Sequence, residues 1–174
     1  MNYHFKKKKR RLIKMANNYE SKNVVLEKVV ILPGAWRNFS GIEGTYNPAG
    51  KRNFNIQLTD DQFDRLNSLG YNVKITKPNP NDPDAEPTKY IKVNVKFNSY
   101  GPKIHVYTTT SDECTEFGED QISLLDDATI VEADVVIRPY EWKVQGNSGI
   151  TPYLNELFVR ILANPIRDRY EAGE

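Results

Sequence analysis

The residues able to do chemistry in this chain are few in kind. There is one cysteine, Cys114, and there are two histidines, His4 and His105. A single cysteine excludes an internal disulfide and a cysteine-based zinc site, and two histidines are too few for a histidine-rich one. No histidine follows Cys114 to act as its base, which speaks against a thiol nucleophile. Carboxylates concentrate between Asp112 and Asp134, nine acids with no cation among them. A metal site would need them in a D-x-D-x-D-G loop or a paired motif; neither is present, so the stretch reads as a solvated acidic face. What remains is rings interleaved with cations. Tyr90, Lys92, Lys96, Lys103, His105 and Tyr107 form one such set, and Trp36, Arg37, Phe39 and Tyr46 beside Lys51 and Arg52 form a second. Tyr140, Trp142 and Tyr153 near Arg138 and Lys143 form a third. Bases stack on aromatic rings and cations neutralise phosphates, so this composition suits a platform for single-stranded nucleic acid. A solvated sheet face, with Lys for solubility and Tyr as a good β former, has the same composition.

The elements that must position these residues read as strands. In Lys89 to Thr110, Ile91, Val93, Val95 and Phe97 alternate with Tyr90, Lys92, Asn94 and Lys96, and after a turn at 98–102 Ile104 and Val106 alternate with Lys103, His105 and Tyr107. A period of two places the apolar set on a core and the ring-and-cation set outside, and the two runs read as a β-hairpin. Residues 23–32 read as a first strand ended by Pro33-Gly34, and Lys51 to Leu58 as another with Phe54, Ile56 and Leu58 inward. Thr59 to Gln62 fits a capping box, opening a short helix with Phe63, Leu66 and Leu69 on one face and Gly70 as its stop. Tyr71 to Thr76 reads as a strand. The loop 77–87, with four prolines, is then an insertion between two strands of one sheet. A short helix over 119–127, strands over 129–144 and a last strand over 150–162 with Leu157, Val159 and Ile161 inward complete the pattern. The expected architecture is mainly β, a single-domain antiparallel Greek-key barrel of the OB type with one or two short helices; a sandwich is the rival.

With 174 residues the chain is long enough for one domain and too short to suggest two. It holds no run of 18 apolar residues, and its basic start is not followed by an apolar stretch, so neither a membrane span nor a signal peptide is expected. Residues 1–14 carry seven cations and no acid, leaving 17 cations against 23 acids over 15–174. The body is acidic, and an anionic ligand must be held by a local patch. The arm itself is open to three readings: a tail that contacts phosphates, a disordered end without a partner, or an untranslated stretch preceding a true start at Met15. The expected boundaries are a disordered basic arm over 1–22, an OB-like domain over 23–163 and a tail over 164–174.

Three segments carry a family resemblance: NFSG at 38–41, YNPAGKRNF at 46–54, and VIRPYEW at 136–142 followed by GNSGITPYL. Together they resemble small phage-encoded OB-fold single-stranded DNA-binding proteins of replication and recombination modules. The resemblance implies a non-enzymatic protein without metal or nucleotide cofactor that binds single strands independently of sequence. It implies a cytoplasmic location in the infected bacterial host, partners among replication or recombination proteins, and homo-oligomers. By position it implies DNA contacts from Trp36, Arg37, Phe39, Arg52, Tyr90, Lys92, Lys96, Lys103, Tyr107, Arg138, Tyr140 and Trp142. Many such proteins end in a strongly acidic tail, whereas 166–174 carries two cations against three acids. Two other classes stay open: a phage structural or interaction β-domain, whose exposed rings fit another subunit, and a small nuclease using the acidic stretch.

Overall fold

The computed structural model describes residues 23–164. The basic arm, and the tail from Pro165 onward, lie outside the described residues. Ten strands follow in order: β1 Val24–Leu26, β2 Val30–Ile31, β3 Arg37–Asn38, β4 Arg52–Gln57, β5 Lys74–Ile75, β6 Lys89–Val95, β7 Lys103–Thr108, β8 Ser111–Phe117, β9 Ile130–Val144 and β10 Asn147–Ile161. One α-helix, α1 (Asp60–Ser68), stands between β4 and β5, and 3-10 turns occupy Gly34–Trp36 and Ile122–Leu125. The sheet runs β1-β9-β10-β6-β4-β2, with β3 added to β4, β5 to β6, β7 to β10 and β8 to β7. The protein is mainly β, as the alternation required.

The wholly antiparallel arrangement expected from the sequence is not observed. Strands β6 and β7 do not pair with each other; both run parallel to β10, Asn94 opposite Tyr153 and residues 103–108 opposite 156–161. Between them the chain loops out through a tight turn in which Asn98 and Gly101 exchange backbone hydrogen bonds, and then resumes its original direction. Alternation fixes which face a side chain takes and is silent about which strand lies alongside, so the two runs mimic a hairpin. The long hairpin is elsewhere, between β9 and β10, closed at Gln145-Gly146 with both residues at positive φ, 49° and 82°. That geometry suits the twist of a two-residue hairpin loop.

Residues 23–32 are not one strand. Lys28 takes φ 50° and donates its N–H to Asp134 Oδ1 at 2.7 Å, so β1 pairs with β9 while β2 turns to β4. The helix opens on the expected capping box, Thr59 Oγ1 accepting from Gln62 N and Gln62 Oε1 from Thr59 N. It buries Leu66 and half-buries Phe63, but Leu69 is exposed and the core position beyond the helix goes to Tyr71. The core collects Leu26 and Ile31, Phe39 stacked on Phe54 at 4.9 Å, Ile56, Leu66, Ile91, Val93, Ile104, Ile122, Leu125, Val135, Ile137 and Leu157. Phe97, expected in the core, is only partly buried, with the Arg52 guanidinium 5.7 Å from its ring centre.

Candidate nucleic-acid interface

The sheet has one face on the core, and the other carries most of the candidate side chains. On β9, Ala133, Val135 and Ile137 are buried, so Glu132, Asp134, Val136, Arg138, Tyr140 and Trp142 fall on the outer side. This row changes character at Val136: two acids precede it, a cation and two rings follow. Opposite on β10 stand Tyr153 against Arg138, Glu156 against Val136, Phe158 against Asp134 and Arg160 against Glu132. The bulge between Leu154 and Glu156 keeps Leu157 and Val159 on the core. The outer face is thus divided, with rings and cations at one end and carboxylates at the other.

At the first end the strands bring together what the sequence leaves apart. Arg138 lies 5.8 Å from the centre of the Tyr153 ring, and Tyr140 meets the same ring edge-on at 6.2 Å. Trp142 lies on Gly149, where a Cβ would come within 2.6 Å of Cζ2, so this close approach requires a glycine. Across from these, Lys92 and Asn94 of β6 and Lys74 of β5 share with Trp142 and Thr151 a polar cleft of about 490 Å³. Next to it a smaller cleft of about 180 Å³ is lined by Lys96, Asn98, Tyr100, Arg138 and Asn155. On the far side, Trp36 packs edge-on against Tyr90 at 4.9 Å, and Tyr90 is the cross-strand partner of Lys74. Trp36, Tyr140 and Trp142 remain exposed enough to receive another ring.

Five of the sequence-derived candidates are placed differently. Phe39 is fully buried, its backbone N–H donating to Asp126 Oδ1 at 2.6 Å, and so it cannot stack on a base. Arg37 is buried too. Its guanidinium donates to the carbonyls of Leu32, Ile31, Leu125 and Ala128 at 2.8 to 3.2 Å, tying β2 and the start of β3 to the turn at 122–128. Burial lowers the pKa of this guanidinium, with Asp126 opposing, and no phosphate can reach it. Both residues sit in a segment whose polar look hides a β3 pairing only two residues long, too short for alternation to register. Arg52 lies over Phe97 and pairs with Glu119 at 3.0 Å, which takes its charge. Tyr107 and Lys103 belong to the acidic end. Tyr107 has Arg160 over its ring at 5.4 Å and its pKa raised by a hydrogen bond with Cys114; Lys103 lies opposite Glu156.

The structure also supplies residues that the sequence reading left out of its candidates. Tyr153 was visible as part of the third aromatic group; its neighbour Arg138 is fifteen positions upstream, and only the hairpin register joins them. Lys74 and Tyr100 gave no signal, one in a two-residue strand and the other in a loop. His105, although it precedes Cys114 in the chain, has Nδ1 3.8 Å from Cys114 Sγ across β7 and β8, while its Nε2 meets Glu156 Oε1 at 2.7 Å. Asp126, in the acidic stretch, is structural: its two oxygens accept the N–H groups of Phe39 and Ser40. Among the described residues no group of three or more His, Cys, Asp or Glu is arranged to hold a metal ion, and no helix is long and apolar enough to cross a membrane.

No curated protein sequence matches the chain. The fold is similar to the single-stranded DNA-binding protein from bacteriophage Enc34, in a C-terminal truncation (TM-score 0.47) and in complex with ssDNA (TM-score 0.48). In each case 15% of residues are identical, over 84% of this chain and 90% of the other. Residues 13–172 match the family described as "Putative phage ssDNA-binding domain", which spans nearly the whole chain. The chain belongs to that family of phage single-stranded DNA-binding domains.

Proposed function

We propose that a single strand of DNA lies across the ring-and-cation end of the outer face, from Trp36 and Tyr90 past Lys74, Lys92 and Trp142 to Tyr153, Arg138 and Lys96. One observation carries this reading: beyond Val136 the outer side of β9 presents Arg138, Tyr140 and Trp142 in succession, and Lys92 and Lys74 share an open cleft with Trp142. Bases stack on exposed rings at roughly 1 to 3 kcal/mol each while Lys and Arg displace counterions from the phosphates, and neither interaction reads sequence. Binding is therefore sequence-independent and serves phage replication or recombination, inside the cytoplasm of the infected host. Residues 23–163 act as the binding domain.

The strand order supports an OB-type barrel as its scaffold. Segments β1 and β2 are successive parts of one extended run, the first paired with β9 and the second with β4, so the same run touches both ends of the sheet order. The hydrogen-bonded sheet is open and mixed; counted with that run as one strand, an OB-type ring would have five members: β1/β2, β4, β6, β10 and β9. An odd ring cannot be antiparallel throughout, and the parallel contact of β6 with β10 is the one it needs.

The mechanism asks for no catalysis. With magnesium or manganese added, single-stranded DNA should stay intact, and binding should persist with a chelator present; reproducible cleavage would overturn the reading. For binding itself, the double variant Lys92→Ala/Arg138→Ala should bind a short single-stranded oligonucleotide at least about tenfold more weakly than the parent at physiological salt, with an unchanged melting temperature. Equal binding by both proteins would remove the track from this face.

A further inference from the structure

We infer that the track continues around the β9–β10 hairpin into a pocket over Tyr71, where one base of the strand is seated and guanine is preferred. The inference rests on the proposed track. The pocket, of about 470 Å³, lies where α1 and Tyr71 meet the hairpin; Leu69, Pro139 and Ile150 form apolar walls, and Arg65 and Glu141 are among its polar groups. Tyr71 is held firmly. Its N–H donates to the Leu66 carbonyl at 3.1 Å, its backbone bridges to Ile150, and only 4% of its surface is exposed. Its hydroxyl oxygen, however, is buried without a hydrogen-bond partner among the described residues. Burial raises the pKa of this hydroxyl, with Arg65 opposing and Glu141 adding, which places it in reach of both charges that line the pocket. Neither Arg65 nor Glu141 enters an ion pair among the described residues. A buried hydroxyl left unpaired is destabilising, and a ligand that bonds to it removes the defect.

The pocket is continuous with the track. A cleft of about 520 Å³ shares Glu141 and Ile150 with it, and shares Gly70, Trp142 and Ile150 with the cleft that holds Lys74 and Lys92. Ile150 lines all three, so a strand leaving Lys92 past Trp142 has an open path to Tyr71. The chemistry of the pocket then selects the base. Apolar walls cover the faces of a ring, and the bases of single strands are read by hydrogen bonds on their edges. Arginine pairs in bidentate fashion with O6 and N7 of guanine, the commonest specific contact of its kind. A carboxylate only accepts, and guanine carries N1–H and N2–H2 side by side. Guanine therefore offers paired acceptors to Arg65 on one edge and paired donors to Glu141 on the next, with the Tyr71 hydroxyl free to donate or accept. Thymine has a methyl group beside O4 and gives Arg65 no such pair. The preference belongs to one position, so the track as a whole stays tolerant of sequence.

The test uses the full chain and thymine oligonucleotides about eight nucleotides long, with a single guanine placed at each position in turn. The parent should bind the best-placed guanine oligonucleotide about tenfold more tightly than the all-thymine one, and only at one or two adjacent positions. Arg65→Gln should abolish that preference while changing all-thymine affinity by less than about threefold. Tyr71→Phe should weaken the preference about threefold without lowering the melting temperature, since it removes a hydroxyl that the free protein leaves unpaired. Should Arg65→Gln melt early, Glu141→Gln gives the same comparison. Equal binding of guanine and thymine oligonucleotides by the parent overturns the inference, as does a preference that survives Arg65→Gln. An equal loss of affinity for both oligonucleotides in Arg65→Gln, with a shallower salt slope, also overturns it, because Arg65 then meets a phosphate. Lys92→Ala separates the two claims. All-thymine binding unaffected by Lys92→Ala refutes the track; all-thymine binding weakened by it, with no guanine preference in the parent, refutes only the pocket.

Discussion

At the scale of single residues, type alone does not tell a DNA-binding arginine from a structural one. Arg37 and Arg138 both stand beside aromatic residues in the sequence, yet one is bonded to four carbonyls in the interior and the other lies over an exposed tyrosine. Arg37→Ala should destabilise the fold by about 3 kcal/mol or more, because the carbonyls of Leu125 and Ile31 would be left buried without donors. Thermal melts would show this as a lowered midpoint, while the protein still folded at low temperature binds single strands as before. A variant that melts normally and binds weakly would return Arg37 to the interface. Phe39 carries the same lesson: an aromatic between polar residues reads as exposed, and what decides its burial is Phe54 stacked on it from a strand fifteen residues later.

At the scale of elements, much was legible because most strands bury one side. The alternation in β4, β6 and β7 gave their inward residues correctly, save for Phe97, and the capping box at Thr59 gave the helix start. The proline-rich loop was read correctly as an insertion, since Lys74 and Ile75 pair with Tyr90 and Lys89 across it. Strand β8 was missed because it is exposed along nearly its whole length, which erases the alternation that marks a half-buried strand. The partner of β7 was missed because no local pattern encodes a parallel neighbour fifty residues away. The β9–β10 hairpin is the element most directly tied to the interface, and Gly149 tests it. Gly149→Ala puts a methyl group against the Trp142 indole and should displace that ring. Single-strand affinity should fall by roughly 1 to 3 kcal/mol, the worth of one stacked base, with a small change in melting temperature. Affinity equal to the parent's would mean that Trp142 takes no part.

At the scale of the whole molecule, composition hid the property that matters. A formal charge of +1 says nothing of a face divided into a cationic end and an acidic end, and the division arises only when β9 is laid against β10 and β6. The acidic stretch was legible as a solvated surface. Glu132 and Asp134 stand in line with Arg138 through the period-two alternation of β9 itself, whereas Tyr153, Glu156 and Arg160 join that face only through the β9–β10 register. Function at this scale depends on geometry that ends one patch where the other starts. The most direct measurement is the salt dependence of single-strand affinity in Lys92→Ala, Arg138→Ala and Tyr107→Ala. Each lost phosphate contact should make the slope of log K against log salt shallower by about 0.7 for the first two variants, while Tyr107→Ala keeps both the parent slope and the parent affinity. Parent-like slopes in Lys92→Ala and Arg138→Ala, or a loss of affinity in Tyr107→Ala as large as theirs, would contradict the assignment of the DNA track to the cationic end.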